Sequence, residues 1–159
     1  MQRTCSVKCA IEDGKGIQKK EYKAVTKSLK AKAKTRSDWI REAQAAFNAY
    51  IRARDKRKPC ISCDKPDNGQ HQRHASHFRS VGACSQLRFN TFNVHASCAT
   101  CNSTLSGNLL EYRIRLVKKL GQERVDWLES QNKLVRYDIE YLAKLKKVFN
   151  KRARKALAM

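Results

Sequence analysis

The sequence predicts an α+β protein in which a small metal-bound centre with short strands is held between long helical arms. Three observations carry this. Two C-x2-C pairs, Cys60-Ile61-Ser62-Cys63 and Cys98-Ala99-Thr100-Cys101, bracket a segment unlike its surroundings. That segment contains every histidine and strand-like pieces around His77-Phe78 and Leu87-Arg88-Phe89. On either side of it, apolar residues recur every three or four positions, the period of an amphipathic helix.

The elements follow in order. Residues 1–34 form a basic arm, with Lys19-Lys20-Glu21-Tyr22-Lys23 followed by Lys27, Lys30, Lys32 and Lys34. Its few large apolar residues predict a flexible segment, although alternating Lys and Ala could form a helix on a phosphate surface. Residues 35–58 make a helix that packs on the core or on a dimer partner. Thr35 and Asp38 are a capping pair, and Trp39, Ile40, Ala43, Ala46, Phe47, Tyr50 and Ile51 share one face. Pro59 ends it, because proline disfavours helical geometry in the residue before it. Residues 59–108 are the centre. Residues 109–159 return to helix: Leu109, Leu110, Ile114, Val117 and Leu120 form a stripe that Gly121 can close, and a short helix carries Val125 and Leu128. A last helix starts at Asp138, turns Ile139, Leu142, Leu145 and Phe149 inward, and ends in Lys151-Arg152-Ala153-Arg154-Lys155.

The 159 residues suit one compact domain, and 41 % apolar content is enough to form a core. Thirty-five Lys and Arg against 14 Asp and Glu give a net charge of +21, which favours a polyanionic partner. No run approaches ~18 consecutive apolar residues, so a membrane partner is not expected. The aromatic residues are scattered, which argues against a membrane-surface helix and for nucleic acid. Seven cysteines without an export signal point to a reducing cytoplasm, where paired cysteines read as metal ligands before disulfides.

Each C-x2-C pair places two thiolates on a tight turn, and two such knuckles complete a four-thiolate zinc site from Cys60, Cys63, Cys98 and Cys101. Nothing in the surrounding pattern suggests a redox pair, because no βαβ unit is present. With the zinc ligands already supplied, His71, His74, His77 and His95 between the knuckles suggest a second, chemical site. Their contexts are Arg73-His74-Ala75-Ser76-His77-Phe78-Arg79 and Asn93-Val94-His95-Ala96-Ser97-Cys98, with Asn102 following Cys101.

A strand histidine, an asparagine five residues before the second knuckle, and an asparagine directly after it resemble the HNH nuclease pattern in its zinc-knuckle form. The likeness extends through Trp39-Ile40, the segment Phe47 to Asp55, Pro59-Cys60-Ile61-Ser62-Cys63, Gln86-Leu87-Arg88-Phe89-Asn90, Asn93-Val94-His95 and Ser106-Gly107-Asn108-Leu109. Over residues 35–130 the chain resembles the NinG (Rap) recombination nuclease family of lambda-like phages. The resemblance implies a ββα-metal core flanked by long α-helices, in a phage-encoded enzyme of the bacterial cytoplasm. The implied activity is structure-directed, metal-dependent cutting of branched DNA (Holliday junctions, D-loops or flaps) during recombination.

Carried over residue by residue, His77 is the general base for the attacking water. Asn93 orients its imidazole, and Asn102 holds a divalent cation, Mg2+ or Mn2+. The zinc is structural. Most HNH sequences place Asp directly before the base, where this chain has Ser76. His74 shares a strand face with that position and is the candidate second cation ligand. A site of imidazole and amide without carboxylate should favour Mn2+ over Mg2+. Leu105 also departs from the pattern, standing where many HNH motifs carry a basic residue. Arg73, Arg79 and Arg88 are candidate DNA contacts, ahead of Arg113 and Arg115. His95 is either packed or part of the metal site. His71 is expected to be exposed, Cys84 unpaired, and Cys5 with Cys9 at most half a metal site.

No recognition helix with convergent base-reading side chains is evident, so binding directed by DNA structure is expected rather than sequence reading. Cutting two strands would take two sites, hence a homodimer; the stripe of 39–51 is core or dimer seam, and with that of 139–149 it could supply such a seam. The rival reading is a zinc-knuckle nucleic-acid-binding protein without catalysis, on DNA or RNA. It leaves His77, Asn93 and Asn102 unexplained.

Overall fold

A computed structural model describes residues 5–69 and 71–158, with the backbone alone at residues 30–32. Residues 1–4 of the basic arm therefore lie outside the described residues. The chain divides into two compact units, one ending at Asp38 and the other running from Trp39. The first unit is dominated by α1 (Val7–Lys32), where the sequence suggested a flexible arm. Ser6 caps it by accepting from the Cys9 amide at 3.2 Å. Val7, Ile11, Ile17, Tyr22, Val25 and Leu29 are all exposed on this helix. The start of α2 (Arg36–Arg54) has the expected reciprocal cap. Thr35 Oγ1 accepts from the Asp38 amide at 3.2 Å, and Asp38 Oδ2 accepts from the Thr35 amide at 3.0 Å.

In the second unit, α2 is followed by the first knuckle and an antiparallel hairpin of β1 (Arg73–His77) and β2 (Val94–Cys98). Its register runs from Arg73 opposite Cys98 to His77 opposite Val94. Then come a π-helical turn over Thr100–Thr104, α3 (Leu109–Leu120), α4 (Gln122–Ser130) and α5 (Ile139–Leu157). Gly121 ends α3 at φ 84°, a left-handed conformation that favours glycine, and its N–H donates to Val117 O at 2.8 Å.

Two apolar clusters enclose the hairpin. Ala43, Phe47 and Ile51 of α2 pack with Phe89, Val94 and with Leu142 and Phe149 of α5. Phe47 meets Phe149 edge-on, with ring centroids 4.8 Å apart. The other cluster joins Ile61, Phe78, Cys84 and Leu87 to Tyr112 and Leu116 of α3 and Val125 and Leu128 of α4. Adjacent strand residues point to opposite faces, so Val94 enters the first cluster while the His95 ring lies 6.3 Å from that of Tyr112.

Two expectations are corrected here. The stripes at 39–51 and 139–149 are not free for a dimer seam, because they pack on one another within the chain and bury Phe47, Ile51, Leu142 and Phe149. Leu87-Arg88-Phe89 is not a strand. A 3-10 turn over Ser85–Leu87 leads into successive tight turns, with Arg88 N donating to Ser85 O and Asn90 N to Leu87 O. Leu87 and Phe89 are apolar because they plug different clusters.

Candidate functional site

The two knuckles come together as the spacing predicts. Sγ atoms of Cys60, Cys63, Cys98 and Cys101 all lie within 4.8 Å of one another. Zn–S bonds of ~2.3 Å put the edge of a tetrahedron at about 3.8 Å, and Cys63 and Cys98 are 3.8 Å apart. The donor set fits a metal ion such as zinc. Amides aim at the sulfurs: Cys98 N donates to Cys60 Sγ at 3.2 Å, Ser62 N to Cys60 Sγ at 3.4 Å, and Cys101 N to Cys98 Sγ at 3.5 Å. Burial alone would raise the Cys98 thiol, but the bond from the Cys101 amide and its thiol neighbours bring it down to about 7. The first knuckle is tied to the start of α3 by Ser62 Oγ donating to Gly107 O and Asn108 Nδ2 donating to Ser62 O. Cys63 alone among the four is exposed.

His77 stands at the last residue of β1. Its Nε2 lies 2.9 Å from Arg88 O. A carbonyl can only accept, so Nε2 carries the proton and Nδ1 keeps a lone pair. Burial pushes this imidazole below the ordinary histidine value, against the opposing pull of the Arg88 carbonyl, so it is neutral at neutral pH. His74, on the other face of β1, meets Asn102 in the π-helical turn, with Asn102 Nδ2 3.0 Å from His74 Nδ1. Ser76 is buried, and its carbonyl accepts from Tyr112 Oη at 3.0 Å.

Asn93 has a different job from the one expected. Its side chain does not hold the His77 ring. Oδ1 accepts from Arg79 N at 2.8 Å, while Nδ2 donates to Arg79 O at 3.0 Å and to Leu87 O at 3.2 Å. An amide has one acceptor and two donors that suit main chain in this way, and here it closes the ends of the loop joining the two strands. Arg73 is also corrected as a DNA contact. Its side chain is 9 % exposed, lies 3.6 Å from Asp67, and donates to Lys65 O at 3.0 Å, bracing the first knuckle. Arg79 donates to Gln131 O at 3.1 Å and Arg88 to Gln44 Oε1 at 3.3 Å, leaving each partly available. His71 is exposed and Cys84 is a buried free thiol, as expected. Cys5 and Cys9 place their sulfurs 3.3 Å apart.

His95 is packed rather than part of a metal site. Its Nε2 donates to Phe92 O at 3.1 Å, so Nδ1 accepts from Lys119 Nζ at 2.9 Å and from Arg54 Nη2 at 3.0 Å. Arg54 also pairs with Asp55 at 2.6 Å, and Asp55 Oδ2 accepts from Ala96 N at 3.1 Å. Burial would raise the Asp55 carboxyl, but the bond and charge of Arg54 and the nearby Lys119 charge outweigh it. They hold it well below the usual carboxylate range. Sequence reasoning missed this network because Arg54-Asp55 looks like an ordinary charged helix end.

A cleft of about 540 Å3 opens beside His77, lined also by Arg79, Ser106, Leu109, Leu110, Arg113 and Glu129. Glu129, also unforeseen, is held there by Arg113 at 2.8 Å. Fold and site together define an α+β protein centred on a four-cysteine cluster that could hold a metal ion, with two histidines and an asparagine amide on its hairpin and following turn.

Comparison with known proteins places that class. The family described as "NinG: Bacteriophage Lambda NinG protein" matches residues 1–158. The chain is 44 % identical over 138 residues to "Protein ninG" of Escherichia phage lambda, covering 82 % of this chain and 67 % of that protein. It is 42 % identical to "Protein ninG" of Escherichia phage 933W over 138 residues, covering 82 % of this chain and 68 % of that protein. The match to "Protein ninG" of Salmonella phage P22 is 44 % over 114 residues, covering 72 % of this chain and 55 % of the relative. The chain belongs to the NinG family. It spans about two thirds of the lambda and 933W relatives' length and little more than half that of the P22 relative. No solved structure matches it.

Proposed function

We propose that this phage-encoded chain is a zinc-stabilised HNH endonuclease that cuts branched DNA during phage recombination in the host cytoplasm. The observation that carries the reading is the state of His77: a neutral imidazole whose Nε2–H is fixed on the Arg88 carbonyl, leaving Nδ1 as a proton acceptor at the mouth of a cleft. Nδ1 takes the proton from a water attacking phosphorus, and the bond to the 3′ oxygen breaks to leave a 5′-phosphate and a 3′-hydroxyl. His74 and Asn102, 3.0 Å apart, are the residues that would hold the divalent cation. A divalent cation held there would supply positive charge to stabilise the transition state. Arg79 and Arg88 contact backbone phosphates. Two cuts across a junction require two copies of the chain.

The test incubates end-labelled four-way junction, flap, single strand and linear duplex with Mg2+ or Mn2+, using the wild type and His77→Ala. Cuts near the branch that need the metal are expected, lost by at least a hundredfold in the variant while binding persists. Salt-sensitive binding to every substrate with no cut in either metal would instead favour a nucleic-acid-binding module without catalysis.

A further inference from the structure

The His77 cleft is not lined like a simple phosphate groove. It is lined by His77 and Arg79 and also by Leu109 and Leu110 of the first turn of α3. Leu109 is 49 % exposed and Leu110 73 %, and Ile114, one turn further on, is 45 % exposed. Leu109 and Leu110 lie within the first turn of the helix, and Ile114 stands four residues beyond Leu110, so the three give the start of α3 an aliphatic edge. Intact duplex offers this edge little to touch, because its outer surface is charged backbone. Apolar side chains gain from DNA when they slide between base steps that are already open or easily opened.

We propose that the Leu109–Leu110 edge is a wedge that enters unstacked bases at a DNA branch, seating the adjoining phosphate against His77. The inference rests on the nuclease reading for its substrate, and it makes that reading specific: the branch is recognised by insertion, not by base sequence. Charge supports DNA over a protein occupant. Arg79 lines the cleft in a chain of net charge +21. Glu129 at the rim is neutralised by Arg113, which keeps the entrance from repelling phosphate.

The test compares wild type, Leu110→Ser and Leu110→Met on a four-way junction with 2-aminopurine at the branch, and on a linear duplex with the same base inside. Binding is measured without added Mg2+ or Mn2+, and cutting in a separate reaction. Because Leu110 is mostly solvent-exposed, the serine variant should fold normally. Wild type and Leu110→Met should raise 2-aminopurine fluorescence on the junction only. Leu110→Ser should lose the rise and bind the junction about tenfold more weakly, with duplex affinity unchanged. A rise that survives in Leu110→Ser would overturn the proposal. So would an equal loss on junction and duplex, or a variant whose only change is a smaller sedimenting mass, the mark of an edge that pairs copies of the chain. Wild type that cuts the junction without any rise would remove the wedge and leave the nuclease. Wild type that opens the branch but never cuts would keep the wedge and remove the nuclease.

Discussion

Asn93 has its side chain fully buried, and each of its three main-chain contacts is at 3.2 Å or less. Replacing it by alanine strands Arg79 N and Arg79 O where water cannot easily reach, while Leu87 O keeps the Asn90 amide. Each stranded group costs ~1–3 kcal/mol, so Asn93→Ala should destabilise by roughly 2 kcal/mol or more. Urea unfolding would show this as a lower midpoint at unchanged slope. Aspartate, which cannot donate when ionised, should restore only the bond from Arg79 N. A loss under 1 kcal/mol in Asn93→Ala would show that the loop closes without it. The sequence located Asn93 but not its task, because spacing cannot tell a side chain that faces a ring from one that faces its own loop. Arg73 departs from expectation for the same reason. Its place beside the histidines is visible in the sequence, while the Lys65 carbonyl that takes it up is reached only through the fold.

At the scale of elements, the end of α2 is joined to β2 through buried charge. Asp55 is 3 % exposed and holds the Ala96 amide while Arg54 and Lys58 hold its carboxylate. Asp55→Ala leaves Arg54 and Lys119 facing each other across a neutral His95, a loss of about 3–5 kcal/mol for breaking such a pair. Thermal melting with and without the substitution would measure it; a change below 1 kcal/mol would mean that solvent reaches the network. Acid should act in two stages. His77 and His95 both have folded-state values below 6.5, so the unfolded chain takes up their protons first. Their contribution is complete above 6.5 and is lost as pH falls below it. Asp55, depressed from 3.8, contributes fully above that value and loses its share only below it. Melting temperature against pH should therefore show two declines, and His95→Asn should diminish the upper one. Elements with strong local signals were readable in advance: the Thr35–Asp38 cap, Gly121 and the paired cysteines. The segment at Leu87 was not, because a short apolar run looks alike whether it lies in a sheet or plugs a core from a turn.

For the whole second unit, the four-cysteine cluster, whose donors fit a metal ion, is expected to decide whether the centre folds. The hairpin is only two strands, too little to persist in water without the helices and the knuckles. Stripping the metal with a chelator should abolish the cooperative thermal transition of the centre, and stoichiometric Zn2+ should bring it back. An unchanged transition would mean that the thiols hold nothing of structural weight. Exposed Cys63 is where a chelator or an oxidant first gains access.

The hairpin itself is pinned at both ends. Cys98 fixes one end into the knuckles and the Asn93 amide ties the other across its own loop, with a cluster pressed on each face. A bar held so cannot bend by degrees. The distance along β1 from His74 to His77 stays constant through warming until one pin gives way, and then it is lost at once.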